Sequence, residues 1–232
     1  MTPHAIPFAP PVARGAFVQL IEDVIAFIPN IVLFQYNPDK VTRGLTPWNP
    51  FEGGQLGRNM QTATSQPFDP DESISFTLQF SATEGMENGN PVTMTSGVAS
   101  RIAALRKLTR PSKALLGDLV GSAQALKGGG SASMEGAKLP ITFLLFGPGL
   151  VLPVRITSFS VEETMHTNLL YPHEASVTVE MKVLTPDHLK CDQIPFKDLA
   201  VGAYNFTKVQ EDALALANIA NNVEAVIGMI AP

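Results

Sequence analysis

The segment Ser73-Ile74-Ser75-Phe76-Thr77-Leu78-Gln79-Phe80-Ser81-Ala82 decides the fold. Ile74, Phe76, Leu78 and Phe80 fall on one side of an extended chain, and Ser75, Thr77, Gln79 and Ser81 fall on the other. That is the period of two expected of a half-buried strand. Its apolar side needs a core. Its polar side suits either solvent or a water-filled channel, and the alternation alone fits both.

Working outward, the C-terminal flank carries more strands. Ile141 to Phe146 is an almost continuous apolar run ended by Gly147-Pro148-Gly149, which reads as a buried strand followed by a turn. Val151 to Glu163 alternates through Val154, Ile156, Phe159 and Val161, with a slip near Ser158 that a β-bulge would absorb. Ala175 to Leu184 alternates again, so the three segments predict a meander, with Met165 to Pro172 as the loop between the last two. Between these strands and the first one, Ser96 reads as the cap of an amphipathic helix bearing Val98, Ile102, Leu105 and Leu108, stopped by Pro111. A second apolar segment follows from Ala114 to Leu126. Gly128-Gly129-Gly130-Ser131 then opens a flexible loop over 128–138.

On the N-terminal side, Phe17 to Phe34 predicts a hairpin turning at Pro29-Asn30, and Asn37-Pro38-Asp39 closes its second strand. Gly44 to Pro70 is broken by glycine and proline and predicts a long loop. Beyond Leu184 the pattern changes: Pro186 and Pro195 interrupt the chain, and Val209 to Ile230 has apolar residues at helical spacing with few charges. A helix so uncharged should dock its apolar face on the domain or on a partner. The organisation expected is an N-terminal segment 1–16, one β domain over 17–185 and a helical extension over 186–232.

Composition narrows the function. Only 16% of the 232 residues are charged while 45% are apolar, a thin polar coat that suits a surface covered in part by partners. Sixteen basic and 21 acidic residues give a net charge of -5, which disfavours nucleic acid. Cys191 is the only cysteine, excluding an internal disulfide and a thiolate zinc site. The prolines at 3, 7, 10 and 11, with no early Lys or Arg, do not fit a secretory signal, so synthesis in the cytoplasm is expected. No apolar run approaches the ~20 residues of a membrane-spanning helix, so no membrane insertion is expected.

Candidate chemistry is sparse. Nucleotide, zinc-protease and nucleophile-elbow motifs are missing, and Gly128 to Ser131 lacks the lysine of a phosphate cradle. His166 and His173 lie near Glu162, Glu163 and Glu174 in sequence, which reads as a strand-end loop before it reads as a metal or acid-base site. Asp69, Asp71 and Glu72 read as a turn before a strand in preference to a calcium site. Arg101, Arg106, Lys107 and Arg110 form the densest basic patch, but no aromatic residues interleave them for base stacking. A solvated or interfacial helix face is the better reading. Trp48 suits a buried anchor and an interface hot spot equally.

The order of Phe34-Gln35-Tyr36-Asn37-Pro38, the strand Ile74 to Phe80, the helix end Leu105-Arg106-Lys107-Leu108, Phe143-Leu144-Leu145-Phe146-Gly147 and Val154 to Val161 resembles a known family. It is similar to the tube-type domain of baseplate and tube-initiator proteins in extracellular contractile injection systems. These are relatives of phage tails that often carry a LysM module after this domain. The resemblance spans Phe17 to Leu184 and is most specific at Phe34 to Pro38. Phe146 stands where the family usually has tryptophan, and Pro186 to Pro232 does not look like LysM, so glycan binding is not carried over.

The resemblance implies a mainly β, α+β fold: a tail-tube-like β-barrel or sandwich with a flanking helix. Six copies would form a ring around a channel, contacting a spike or hub protein, the inner tube protein and other baseplate subunits within a cytoplasmic or released particle. Phe34, Tyr36, Asn37, Pro38, Trp48, Arg101, Arg106 and Lys107 are then the expected assembly residues, with Ser75, Thr77 and Gln79 facing the channel. No enzymatic activity and no cofactor are expected. A repeating tube subunit or tube cap shares the same domain. A monomeric ligand-binding β-barrel is the competing class.

Overall fold

The computed structural model describes residues 13–22, 27–49, 64–111, 139–190 and 194–230. The apolar segment Ala114 to Leu126, the loop over 128–138 and Cys191 lie outside the described residues. The protein is mainly β, with a seven-stranded antiparallel sheet and several helices. The strands are β1 Ala16–Glu22, β2 Phe27–Leu33, β3 Val41–Thr46, β4 Asp71–Ser81, β5 Thr142–Leu145, β6 Val151–His166 and β7 Pro172–Val183, in the sheet order β2-β1-β5-β6-β7-β4-β3. Among the described residues the helices are α1 Thr83–Glu87, α2 Pro91–Ser96, α3 Ala99–Leu108, α4 Pro186–Leu189 and α5 Lys197–Ile230.

The alternation of Ser73 to Ala82 is realised as β4, with Ile74, Phe76, Leu78 and Phe80 buried. The meander forms as expected, β5 beside β6 beside β7, and a register shift between Ile156 and Ser158 takes up the slip. The sheet curls strongly. Phe17 on β1 stacks on Phe76 of β4 at 6.0 Å although three strands lie between them in the sheet, and Phe34 meets both rings at 5.2 and 5.6 Å. These phenyl groups, with Leu78, Leu144, Leu152, Val177 and Val179, form the main core. Helix α3 adds Ile102, Leu105 and Leu108 to it and leans on β2, where Asn30 Nδ2 donates to the Ala104 carbonyl.

A second, smaller core lies on the other face of β1 and β5. There Ile141 and Phe143 pack with Leu189 and Ala200, flanked by Val18, Leu20 and Ile194, so α4 and the start of α5 roof this part of the sheet. The two cores explain why Ile141 to Phe146 is apolar throughout: both faces of β5 are covered.

Three expectations are corrected. The hairpin does not turn at Pro29-Asn30, which lie within β2 opposite Leu20 and Gln19. Among the described residues β2 lies at the edge of the sheet, and one side of an edge backbone tolerates a proline without losing a ladder bond. The loop expected from Gly44 to Pro70 begins later, because Val41–Thr46 pairs with Asp71–Phe76; this strand is held by its partner's ladder and not by a pattern of its own. Ser96 does not cap α3 but ends α2, its Oγ donating to the Val92 carbonyl. Gly97 separates the two helices at a φ of 56°, and a Cβ there would lie 2.1 Å from the Pro172 carbonyl oxygen, so the break needs glycine.

Candidate assembly surface

Register builds the polar face. Ser75, Thr77 and Gln79 of β4 lie beside Glu180, Thr178 and Ser176 of β7, which lie beside Ser158, Ser160 and Glu162 of β6. Three polar ranks therefore cross three strands, and every member is exposed or half-buried. The ranks bond internally: the Thr77 and Thr178 hydroxyls are 3.1 Å apart, and Gln79 Nε2 donates to Ser176 Oγ at 3.3 Å. A surface of hydroxyls, amides and carboxylates holds water well and offers little to an apolar chain.

One end of this face is walled by the connector from β2 to β3. Tyr36, Asn37, Pro38, Asp39 and Lys40 flank an open cleft of about 530 Å³ whose floor includes Ser75, Thr77, Gln79 and Thr178. Sequence reading assigned Tyr36, Asn37 and Pro38 to assembly and Ser75, Thr77 and Gln79 to a channel; the fold brings the two sets to one concavity. Asn37 is itself structural, since its Oδ1 accepts from Gly15 N at 3.0 Å and its Nδ2 donates to the Ala13 carbonyl. Phe34 is fully buried among the core phenyls, so its side chain is withheld from any partner. Trp48 is half-buried just beyond β3.

Gln35 is the residue that sequence reasoning missed. It is buried, its Nε2 donating to the Ser81 carbonyl and Glu84, its Oε1 accepting from Ser81 N and from Arg101 Nη1 at 2.7 Å. One side chain thus joins the connector, the end of β4, α1 and α3. A lone glutamine between two aromatic residues carries no sequence signal for this. The basic patch is dispersed accordingly: Arg101 is spent on Gln35, Arg106 lies 3.6 Å from Glu163, and Lys107 is half-buried.

The β6–β7 hairpin ends in an ordered apolar tip. Thr167 N donates to the Tyr171 carbonyl, Leu170 N to the Thr167 carbonyl and Tyr171 N to Thr167 Oγ1. Met165 and Leu170 adopt positive φ of 51° and 60°, and Leu170 is 80% exposed. Residues other than glycine rarely sit in that region. Three large apolar side chains, Met165, Leu169 and Leu170, are presented to solvent here.

Two of the three carboxylates read as a turn, Asp69 and Glu72, act as tethers for α5, while Asp71 accepts from Lys182 on β7. Asp69 accepts from Lys208 at 2.8 Å and from the Tyr204 hydroxyl at 3.1 Å, and Arg43 bridges Glu72 at 2.6 Å to Glu211 at 3.1 Å. The Lys208 hydrogen bond holds the Asp69 carboxyl below its ordinary range, and burial beside Asp69 pushes the Tyr204 phenol up to about 12. Thr207 Oγ1 both accepts from Val151 N and donates to the Val151 carbonyl, fixing α5 on the start of β6.

Among the described residues no group of three or more His, Cys, Asp or Glu is placed to hold a metal ion, and no helix is long and apolar enough to cross a membrane. His166 is exposed at the end of β6, while His173 on β7 keeps its Nδ1 buried without a hydrogen-bond partner. No protein-family model matches the chain, and no curated protein matches it in sequence.

Proposed function

We propose that the chain is a structural subunit that closes into a ring with copies of itself, in the inner baseplate of a contractile injection system. There the ring joins the spike hub to the inner tube and templates tube assembly. The observation that carries this reading is the pair of sheet edges. β2 and β3 each have one strand neighbour among the described residues, and β2 exposes Ile31 and Leu33 along its rim. Unpaired edges with apolar side chains invite strand addition, and ring closure turns that liability into a joint. The ranks of Ser75, Thr77 and Gln79 with their β7 and β6 neighbours then supply a wettable channel wall, and the rigid tip at Met165, Leu169 and Leu170 supplies an anchor for an adjacent subunit.

The cleft beside Tyr36 favours a second reading, a ligand-binding barrel, because its volume falls in the range of small-molecule sites, ~300–1,000 Å³. Its openness and polar floor weigh against that reading, and the inside of the curl is occupied by phenyl groups.

Cryo-electron microscopy of particles purified from cells expressing the surrounding genes tests the proposal. A single ring of this chain between spike and tube is the expected result. Repeated rings would make it the tube subunit, a ring at the far end the cap, and a chain found only as a free monomer would return the question to the ligand-binding barrel.

A further inference from the structure

Helix α5 has two faces with opposite logic. One is anchored: Ala200 and Thr207 are buried, Val201, Ala203 and Tyr204 pack on the sheet, and Lys208 and Glu211 pair with Asp69 and Arg43. The other carries Leu199, Gly202, Phe206, Val209, Ala213 and Leu216, and it faces solvent. Leu199 is 53% exposed, Phe206 44%, Val209 63% and Leu216 67%. An ordinary amphipathic helix leaves only its polar face open; here one mixed face docks through Ala200, Val201, Tyr204 and Thr207 while a second, apolar stripe stays open.

The stripe is strictly spaced. Its residues are separated by three and four alternately, and the sequence keeps that spacing through Ala220, Val223, Ile227 and Ile230. A repeat of 3.5 sustained over more than four heptads drifts off one face of a straight helix, and stays on one face only when the helix supercoils around another. Gly202 lies in this seam within the anchored half, and a Cβ added there would touch nothing within 4 Å. The isolated chain therefore does not need glycine at a position where glycine weakens the helix; close approach of a second backbone does.

We infer that α5 forms a parallel coiled coil with α5 of a second copy of this chain, along the seam that Leu199, Phe206, Val209 and Leu216 expose. The flanking charges fit an identical partner. In a parallel pair Asn205 would face Gln210 of the other helix and Asp212 would face Ala217, so no like charges meet. From Ala213 to the end of the helix Glu224 is the sole charged residue, which removes the repulsion that otherwise separates identical helices. This inference does not depend on the injection-system reading, since it concerns the helix and not the sheet edges.

Sedimentation equilibrium of the full chain tests it, with two substitutions of equally exposed leucines. Leu216→Glu lies on the seam and Leu214→Glu lies off it, about 200° around the helix from Leu216. The intact chain should associate at micromolar concentration. Leu216→Glu should weaken association by about 100-fold or more, because it places a charge in a dry seam, while Leu214→Glu should leave it within a few-fold and both keep the circular-dichroism spectrum. In a Cys191→Ser background, Leu216→Cys should oxidise to a cross-linked dimer and Leu214→Cys should not. A chain that stays monomeric, equal weakening by both glutamates, or an oligomer in which Leu216→Cys fails to cross-link would each overturn the inference.

Discussion

Over β1 and β5 the outer face of the sheet is apolar and roofed by α4 and α5, whereas over β4, β7 and the far part of β6 it is a field of hydroxyls, amides and carboxylates. Among the described residues nothing covers that second field except the connector wall at one end. The same sheet thus carries one half finished within the chain and one half left open. The difference teaches how to divide such a protein: the roofed half puts its apolar area into stability, and the open half presents polar groups that the fold itself does not need to cover.

The comparison breaks most severely if the roof is removed. Deleting residues 197–230 uncovers Ile141 and Phe143 and cuts the ties at Val151, Asp69 and Arg43. The expected outcome is loss of cooperative unfolding, or aggregation, by differential scanning calorimetry. Truncation after Glu211 retains those contacts and should keep the transition. Phe143→Ala should cost about 3–5 kcal/mol in urea unfolding, as a buried ring leaves a cavity under the roof. Thr207→Val should cost about 1–3 kcal/mol in the same measurement, because the amide and carbonyl of Val151 lose a buried partner.

The docking of α5 should also follow pH with a definite sign. The depressed Asp69 carboxyl contributes stability that is present at neutral pH and lost as acid protonates it. The raised Tyr204 phenol contributes stability that holds up to pH 10 and is lost as pH climbs toward about 12. Thermal unfolding scans across both limits should show lower midpoints at each end, and Tyr204→Phe should abolish the alkaline part. The smallest effect belongs to the open half: Thr77→Ala should change stability by no more than about 0.5 kcal/mol, since the hydroxyl it removes is half-buried at a polar surface.

Much of the sheet was legible because burial is written in periodicity. Ser73 to Ala82 and Ala175 to Leu184 alternate because each has one covered face, and the bulge after Ile156 showed as a slip in the same pattern. β3 was illegible for the opposite reason: Val41–Thr46 is exposed along most of its length and exists because β4 offers it a ladder. Pro29 misled because proline marks turns in general, and only its place at the rim of the sheet makes it compatible with a strand. Of the candidate surface, Tyr36, Asn37, Pro38, Ser75, Thr77 and Gln79 were nameable from sequence, but their shared cleft depends on a curl that no local pattern encodes. The bonds of Gln35 and of Asp69 reach 46 to 139 residues along the chain, beyond any window of residue spacing.

The position of β1 has a consequence for synthesis. Its hairpin partner β2 follows at once, but its other neighbour is β5, and Gln19 waits for Thr142, 123 residues later. At about 5–20 residues per second a ribosome needs ~6–25 s to deliver that strand. For that interval the first hairpin has left the ribosome with an open inner flank and the apolar side chains of Phe17 and Ile21 without their final cover. Faster delivery of the stretch between β2 and β5 shortens that exposure, so the yield of folded protein should rise with translation speed there.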